Sequence, residues 1–419
     1  AAALVLTLLS GTLAPLFNAG FRADPFGFGG FWAASRVIPD GIDEFPLFTA
    51  LFADLHAHFL SWAPFSALLL LAVLRMRDRP VPGGRSDRCG ALLLGLLAAA
   101  VHLTNPWETP LAAVLLLFAL PPRRDADAPS LASRVEPFLL AGAAALAAAG
   151  PTLLHVRSAP VAFGFFRETH ASPLAYRELF GLPLLLLAVA WIVIGAPRES
   201  ALRTAWLLGL CGLGLLAFAE LFVVADRMNT LFKFGLQARL LLGLAAGAFV
   251  PALIERARAR GLAPRLPLGL ALGLAAGLTL VCVGAGGAHI ISVLRTRWVP
   301  GPRPALDGFA YVAAYDPAGE RRMHALNGRP GLPTIVDPPG SPYSPNLQTT
   351  MRTGCPTIVG WPWHLRQRRR SPEAIAVRER DVAALTSGGF TAEERRLLLL
   401  GYGVDPADPV LVGPLPRAR

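Results

Sequence analysis

DLHAHFLSWAPFSALLLLAVLRMRDR, residues 54–79, is the stretch whose reading decides the fold. Asp54, His56 and His58 open it, an apolar run over 59–74 follows, and Arg75, Arg77 and Arg79 close it. An apolar run that stops at arginines is the pattern of a helix crossing a bilayer and ending at a positively charged membrane face. Similar runs fall at about 1–18, 90–104, 110–120, 136–155, 180–196, 204–222, 240–255 and 266–288. Of the 419 residues, 53% are hydrophobic and only 16% charged, where a soluble domain carries about a quarter charged. The sequence therefore predicts an all-α polytopic membrane bundle of about nine transmembrane helices over residues 1–290. A polar tail, 291–419, follows as a second domain.

The arginines give the bundle a direction. Arg75/Arg77/Arg79/Arg85/Arg88, Arg123/Arg124/Arg134, Arg198/Arg203 and Arg256/Arg258/Arg260/Arg265 each follow an even-numbered run. Placing all four clusters in the cytoplasm obeys the positive-inside rule without exception. Loops 19–58, 105–109, 156–179 and 223–239 then lie outside, with the tail. The expected location is the cell inner (plasma) membrane, with the lipid bilayer as partner. The net charge of +11 is accounted for by these loops, so nucleic acid is not an expected partner. Cys89, Cys211, Cys282 and Cys355 show neither metal spacing nor a disulfide framework.

Two local features refine the outline. Asn105-Pro-Trp-Glu-Thr-Pro110 holds two prolines within five residues, which cannot continue a helix. It reads as a tight turn between two spans, in preference to a re-entrant hairpin. In the tail, β-like stretches at 333–337, 355–360 and 409–413 alternate with helical patterns at 373–386 and 391–400, Thr391 and Glu394 having capping-box spacing. That texture predicts a small C-terminal α/β domain, extracytoplasmic by the charge argument. The chain opens inside an apolar run without an initiator Met, as expected of the C-terminal portion of a longer protein.

Groups that lipid tolerates poorly gather in the loops assigned outside. Asp40, Asp43, Glu44, Asp54, His56 and His58 form one set, and Asn105 and Glu108 a second. Glu220, Asp226, Arg227, Asn229, Lys233, Gln237 and Arg239 form a third. Lys233 is the only lysine among 39 basic residues, and Asn18, Asn105 and Asn229 fall at the same ends of the runs. In so arginine-biased a composition a lysine persists mainly where arginine will not serve. Ionisable groups near the membrane cost several kcal/mol unless paired, hydrated or functional. Asp54, His56 and His58 suit metal ligation, base or substrate chemistry, or plain helix capping. Arg227 and Lys233 suit phosphate, or internal ion pairs in a hydrated loop. Glu108 is a structural acceptor or part of the site. The loop from Arg157 to Glu178 reads as a solvated lid. Trp361-Pro-Trp363-His364 reads as a packed aromatic corner, or as indoles that stack on sugar rings or sit at the bilayer interface.

Several motifs in one order resemble the YYY-domain family of uncharacterised polytopic membrane proteins. They are Phe31-Trp32, Ser35-Arg36-Val-Ile-Pro39, Glu44-Phe45-Pro46, Asp54-Leu55-His56-Ala57-His58, Asn105-Pro-Trp107-Glu108-Thr-Pro110 and Asp226-Arg227-Met-Asn229-Thr-Leu-Phe232-Lys233. Tyr343-Ser344, Thr353-Gly354-Cys-Pro356-Thr357-Ile-Val-Gly360-Trp361, His364 and Glu379-Arg380 continue the series. The tyrosine triplet and its upstream acidic motif are absent. Glu108 stands where aspartate is expected, and Leu365 follows His364 where the family tends to be acidic. That family looks similar to the C-type glycosyltransferase fold, which implies a membrane enzyme taking sugar from a polyprenyl-phosphate donor on the outer face. On that implication Asp54, with Asp43 or Glu44, serves as base or metal ligand, and a divalent metal ion is a candidate cofactor. His56 and His58 orient the acceptor or the metal. Arg227 and Lys233 hold the lipid-linked phosphate, while Asn105, Glu108, Asp226, Asn229 and Gln237 contribute to substrate binding. The alternatives are a transporter or channel for a small polar solute, and a non-catalytic membrane scaffold.

Overall fold

In a computed structural model the described residues are 2–52, 56–78, 80–121, 130–155, 162–196, 199–259, 266–296, 316–341, 346–367, 370–387, 390–407 and 409–410. The chain divides into two compact units, Ala1–Trp298 and Val299–Arg419.

In the first unit, short helical pieces between Ala2 and Ala33 lead to α1 (Pro46–Phe52) and a turn of helix at Ala57–Leu60. There follow α2 (Trp62–Asp78), α3 (Arg85–Thr104), α4 (Thr109–Ala119) and α5 (Leu131–His155). Strand β1 (Phe163–Phe165), α6 (Pro173–Ile194), α7 (Ser200–Leu221), β2 (Phe222–Val224), α8 (Arg227–Ala259) and α9 (Leu266–Thr296) complete it. Seven helices among the described residues are long and apolar enough to cross a membrane. The 20 residues of α3 rise about 30 Å, the thickness of a hydrocarbon core. Large apolar side chains such as Leu139, Leu154, Ile192 and Leu280 point outward, as they do where the solvent is lipid. Helix α8 is central: 67% of its spanning window is buried, against 17% for the peripheral α5.

Seven long helices replace the expected nine, for two physical reasons. The first apolar run is broken into a π-helical turn at Val5–Leu9 and short helices at Ala14–Phe17 and Ala19–Ala23. Its backbone bonds instead to the neighbouring helices, Gly11 N–H to the Cys282 carbonyl and Leu13 N–H to that of Glu178. The run at 110–120 forms α4, only 11 residues long. Its ends are pinned along α2, Glu108 beside Ser61 at one end and the Ala119 carbonyl beside Arg75 Nε at the other. Asn105 in extended geometry and a 3-10 turn at Pro106–Glu108 make the bend between α3 and α4.

Close approach and proline shape the packing. Helices α3 and α5 meet where Gly95 faces Ala141, and a Cβ on Gly95 would overlap the Ala141 backbone. Without a hydrophobic drive between helices in lipid, such small-residue contacts supply the packing. In α6, Pro183 lacks the N–H that would bond the Leu179 carbonyl four residues back. Arg239, buried at the centre of α8, donates to that carbonyl and lies 3.5 Å from the Gly11 carbonyl. A buried guanidinium thus satisfies oxygens that a proline in one helix and the break in another leave open.

The segment expected to be a solvated lid contains, within its described part, β1 paired antiparallel with β2, Gly164 opposite Val223. Phe163 and Phe165 are exposed, and Phe163 stacks on Phe222 with centroids 5.5 Å apart.

The second unit contains α10 (Pro317–Asn327), α11 (Gln348–Thr353), α12 (Pro362–Gln367), α13 (Pro372–Ser387) and α14 (Ala392–Gly401). Thr391 and Glu394 form the capping box. The extended segments do meet: Ile335 bridges Thr357 in parallel, and Val336 N–H bonds the Val410 carbonyl. The tail is nevertheless mainly helical among the described residues, because Pro333, Pro338, Pro339 and Pro356 deprive any ladder of donors. Its core includes Val336, Ile358, Val359, Val382, Leu385, Leu399 and Val404.

Candidate functional site at one end of the bundle

The bends between helices at one end of the first unit bring polar side chains together. His58 lies in the helical turn before α2, and Ser61 follows three residues later on the same face. Asn105 and Glu108 come from the α3–α4 bend. Lys233 and Gln237, four residues apart, share one face of α8. Glu108 is the hub. Its Oε1 accepts from Ser61 Oγ at 2.5 Å, from Asn105 Nδ2 at 2.9 Å and from Gln237 Nε2. Ser61, Asn105, Glu108 and Gln237 are all buried. Glu108 Oε2, Gln237 Oε1 and His58 Nε2 have no hydrogen-bond partner among the described residues.

Aromatic rings wall this centre. Phe232 meets His58 edge-on at 4.2 Å between centroids and His56 at 5.5 Å. The two imidazoles lie 5.1 Å apart. Lys233 Nζ stands 3.9 Å from the Trp107 ring centroid, and among the described residues no carboxylate lies within ion-pair distance of it. The ammonium is held by a ring face.

The other expected residues occupy separate positions. Asp43 Oδ2 accepts from the Val37 and Ile38 amides at 2.9 and 2.6 Å. Burial pushes its carboxyl up to about 6, the two amides and Arg36 opposing the shift. Glu44 accepts from Thr49 Oγ1 at 3.0 Å and lies 3.8 Å from Arg36, which packs over Trp32. Asp43, Glu44, Tyr176 and Arg239 line a cavity of about 20 Å³, room for about one water, with Phe232 in its wall. Phe232 therefore lines this cavity and also packs on the two histidines.

A third cluster centres on Glu220, which accepts from Tyr176 at 2.5 Å, from His170 at 2.9 Å and from Arg227 at 2.6 Å. Arg227 also stacks on Phe166 and donates to the Ala219 carbonyl. It is therefore committed to internal pairs, unlike Lys233. Asp226 accepts from the Asn229 amide and side chain at 2.7 and 2.8 Å, which makes the two a cap on α8.

Asp54 lies outside the described residues. Among those described, no group of three or more His, Cys, Asp or Glu side chains is placed to hold a metal ion. Ser61 and Trp107 also belong to the centre, although neither is among the expected site residues. Ser61 was findable from its three-residue offset to His58, and Trp107 from its place beside Glu108.

The family described as "Uncharacterized membrane protein (DUF2298)" matches residues 2–173 and, in a second overlapping match, residues 130–242. No curated protein matches the chain, and no solved structure does. The family match covers more than half of the 419 residues and includes every residue of the Glu108 centre, so the chain belongs to this family of uncharacterised membrane proteins.

Proposed function

We propose that the Glu108 centre is the active site of a membrane glycosyltransferase-like enzyme acting on a lipid-linked phosphosugar. The observation that carries this reading is a buried carboxylate fixed through one oxygen, with the other unpartnered among the described residues, in a centre that also holds two imidazoles and an ammonium with no carboxylate partner among those residues. Three donors on Oε1 hold the Glu108 rotamer and leave Oε2 to take a hydroxyl proton or position a hydroxyl. Lys233 supplies a point charge for a phosphate, which suits a compact ammonium better than a guanidinium committed to pairs. His56 and His58 orient the acceptor, and Asp54 precedes them by two residues as a second candidate base. Asp43 and Glu44 support this region from the far side of Phe232, while Asp226, Arg227 and Asn229 fix the start of α8. The resemblance of the motif series to the YYY-domain family, which looks similar to the C-type glycosyltransferase fold, points in the same direction.

The test is donor binding and turnover in vesicles. Wild-type chain is reconstituted with a radiolabelled polyprenyl-phosphate hexose, and retention of donor and release of hexose are both measured. The expected result is saturable retention that Lys233→Ala weakens about tenfold, and hexose release that Glu108→Gln abolishes without loss of retention. Wild-type protein that neither retains the donor nor releases hexose would sink the reading. Accumulation of a polar solute inside the same vesicles would replace it with transport.

A further inference from the structure

We infer that the second unit carries a carbohydrate-binding cleft floored by the Trp363 indole. Trp363 is 43% exposed, large for an indole in a packed unit. It lines an open cleft of about 690 Å³ together with Pro339, Gly340, Ser341, Arg366 and Glu379. That volume lies within the range of about 300–1,000 Å³ typical of small-ligand sites, and holds about two or three sugar rings.

The indole is held in place. Pro362 starts α12 with its backbone angle already set, and the His364 ring lies against Trp363 at 5.4 Å between centroids. Trp363 and Arg366 are three residues apart on α12 and so share a face. Glu379 reaches across from α13, its carboxylate 3.6 Å from the Arg366 guanidinium, and both side chains keep a third or more of their surface open.

This set of groups selects one ligand chemistry. A flat apolar face beside fixed donors and acceptors fits a pyranose ring, which has a C–H face to stack and hydroxyls that both donate and accept. A cationic ligand would meet Arg366 and an anionic one Glu379, whereas a neutral polyhydroxyl ligand satisfies both. An indole that merely anchors at a bilayer surface needs an apolar rim. This one lines an open cleft whose edge carries a serine and the Arg366–Glu379 ion pair beside Pro339, Gly340 and Pro362. The inference concerns the second unit alone and stands whether or not the Glu108 centre is a transferase.

Saturation-transfer NMR on the full chain in lipid nanodiscs tests it, with maltotriose, cellotriose and chitotriose as probes. At least one trisaccharide should bind, with the strongest saturation on the C–H protons of one ring face. Trp363→Ala should weaken that binding about tenfold, while Trp363→Tyr, which keeps an aromatic face, should stay within about threefold. Absence of binding by all three probes, or binding indifferent to Trp363→Ala, would overturn the proposal. So would quenching by brominated phosphatidylcholine of a fluorescence component that Trp363→Phe removes, since that would place the indole in the bilayer.

Discussion

Asp43 is a carboxylate bonded to two backbone amides in a nearly closed site, and its titration follows from that placement. Burial outweighs the amides and Arg36, so the folded-state value rises from 3.8 to about 6. The unfolded chain releases this proton first, so between about pH 4 and 6 the folded state binds more protons. Stability from this group is full below pH 4, falls as pH rises to 6 and is flat above, by about 3 kcal/mol in all. Asp43→Asn keeps an oxygen for both amides and removes the titration. Thermal unfolding in detergent should lose its slope between pH 4 and 6 in this variant, and an unchanged slope would assign the effect elsewhere. Glu108 allows a test of another kind. Glu108→Ala strands the buried donors of Ser61, Asn105 and Gln237, and should cost about 2–4 kcal/mol. Glu108→Gln retains an acceptor oxygen and should recover at least half of the loss, measured by the same melts. If both variants melt alike, the three bonds are not what holds these bends together.

The helices were legible because lipid forces apolar runs of near-fixed length, and because prolines and arginines punctuate them. The Asn105–Pro110 break shows in the sequence for the same reason: two missing donors cannot be hidden. Breakage of the first run was not legible, since residues 1–18 are as apolar as any span. What divides them is a set of bonds to Cys282 and Glu178, known only once α6 and α9 are beside them. The site was partly legible. Polar groups that gather at one end are visible as types, but Asp43 and Glu44 satisfy themselves locally, and nothing in their spacing separates them from His58 and Glu108. The partnership of Pro183 with Arg239 is a further relation that no local pattern carries, and it makes a sharp prediction. Arg239→Met leaves the Leu179 carbonyl unpaired and should cost about 1–3 kcal/mol. In a Pro183→Ala background the helix supplies its own N–H, so the same change should cost about 1 kcal/mol less, read from a double-mutant cycle of unfolding midpoints. Additive effects would show that Arg239 acts through charge alone. Helix contact at Gly95 is simpler: Gly95→Val forces α3 from α5 and should destabilise by about 1–3 kcal/mol in those melts.

The distribution of charge across the bundle bears on its orientation, and several of its arginines have partners. At the end opposite the Glu108 centre, Arg75 is buried against Asp87 and the Ala119 carbonyl, and Arg88 pairs with Glu136 at 2.8 Å. These two arginines hold α2, α3, α4 and α5 together and still count toward the positive-inside bias, to which acidic partners contribute little. Arg77 pairs with its exposed neighbour Asp78 and counts in the same way. The clusters at 123–134, 198–203 and 256–265 carry the orienting argument together with the first cluster. They agree with it in sign, because each follows a helix that runs away from the Glu108 end. The expected orientation puts this arginine end in the cytoplasm and the Glu108 centre outside, with the tail on the same side as the centre. Thiol labelling of intact cells measures this, provided the probes are reachable. Cys89 is exposed at the start of α3, but Cys355 is buried and reports nothing about sidedness. A chain with Cys211, Cys282 and Cys355 replaced by alanine, and with Ser371→Cys in the exposed turn before α13, supplies a matched pair. A membrane-impermeant maleimide should modify the cysteine introduced at Ser371 in intact cells and reach Cys89 only after permeabilisation. The reverse pattern would invert the bundle, put the Glu108 centre on the cytoplasmic side, and require the phosphosugar to be met there.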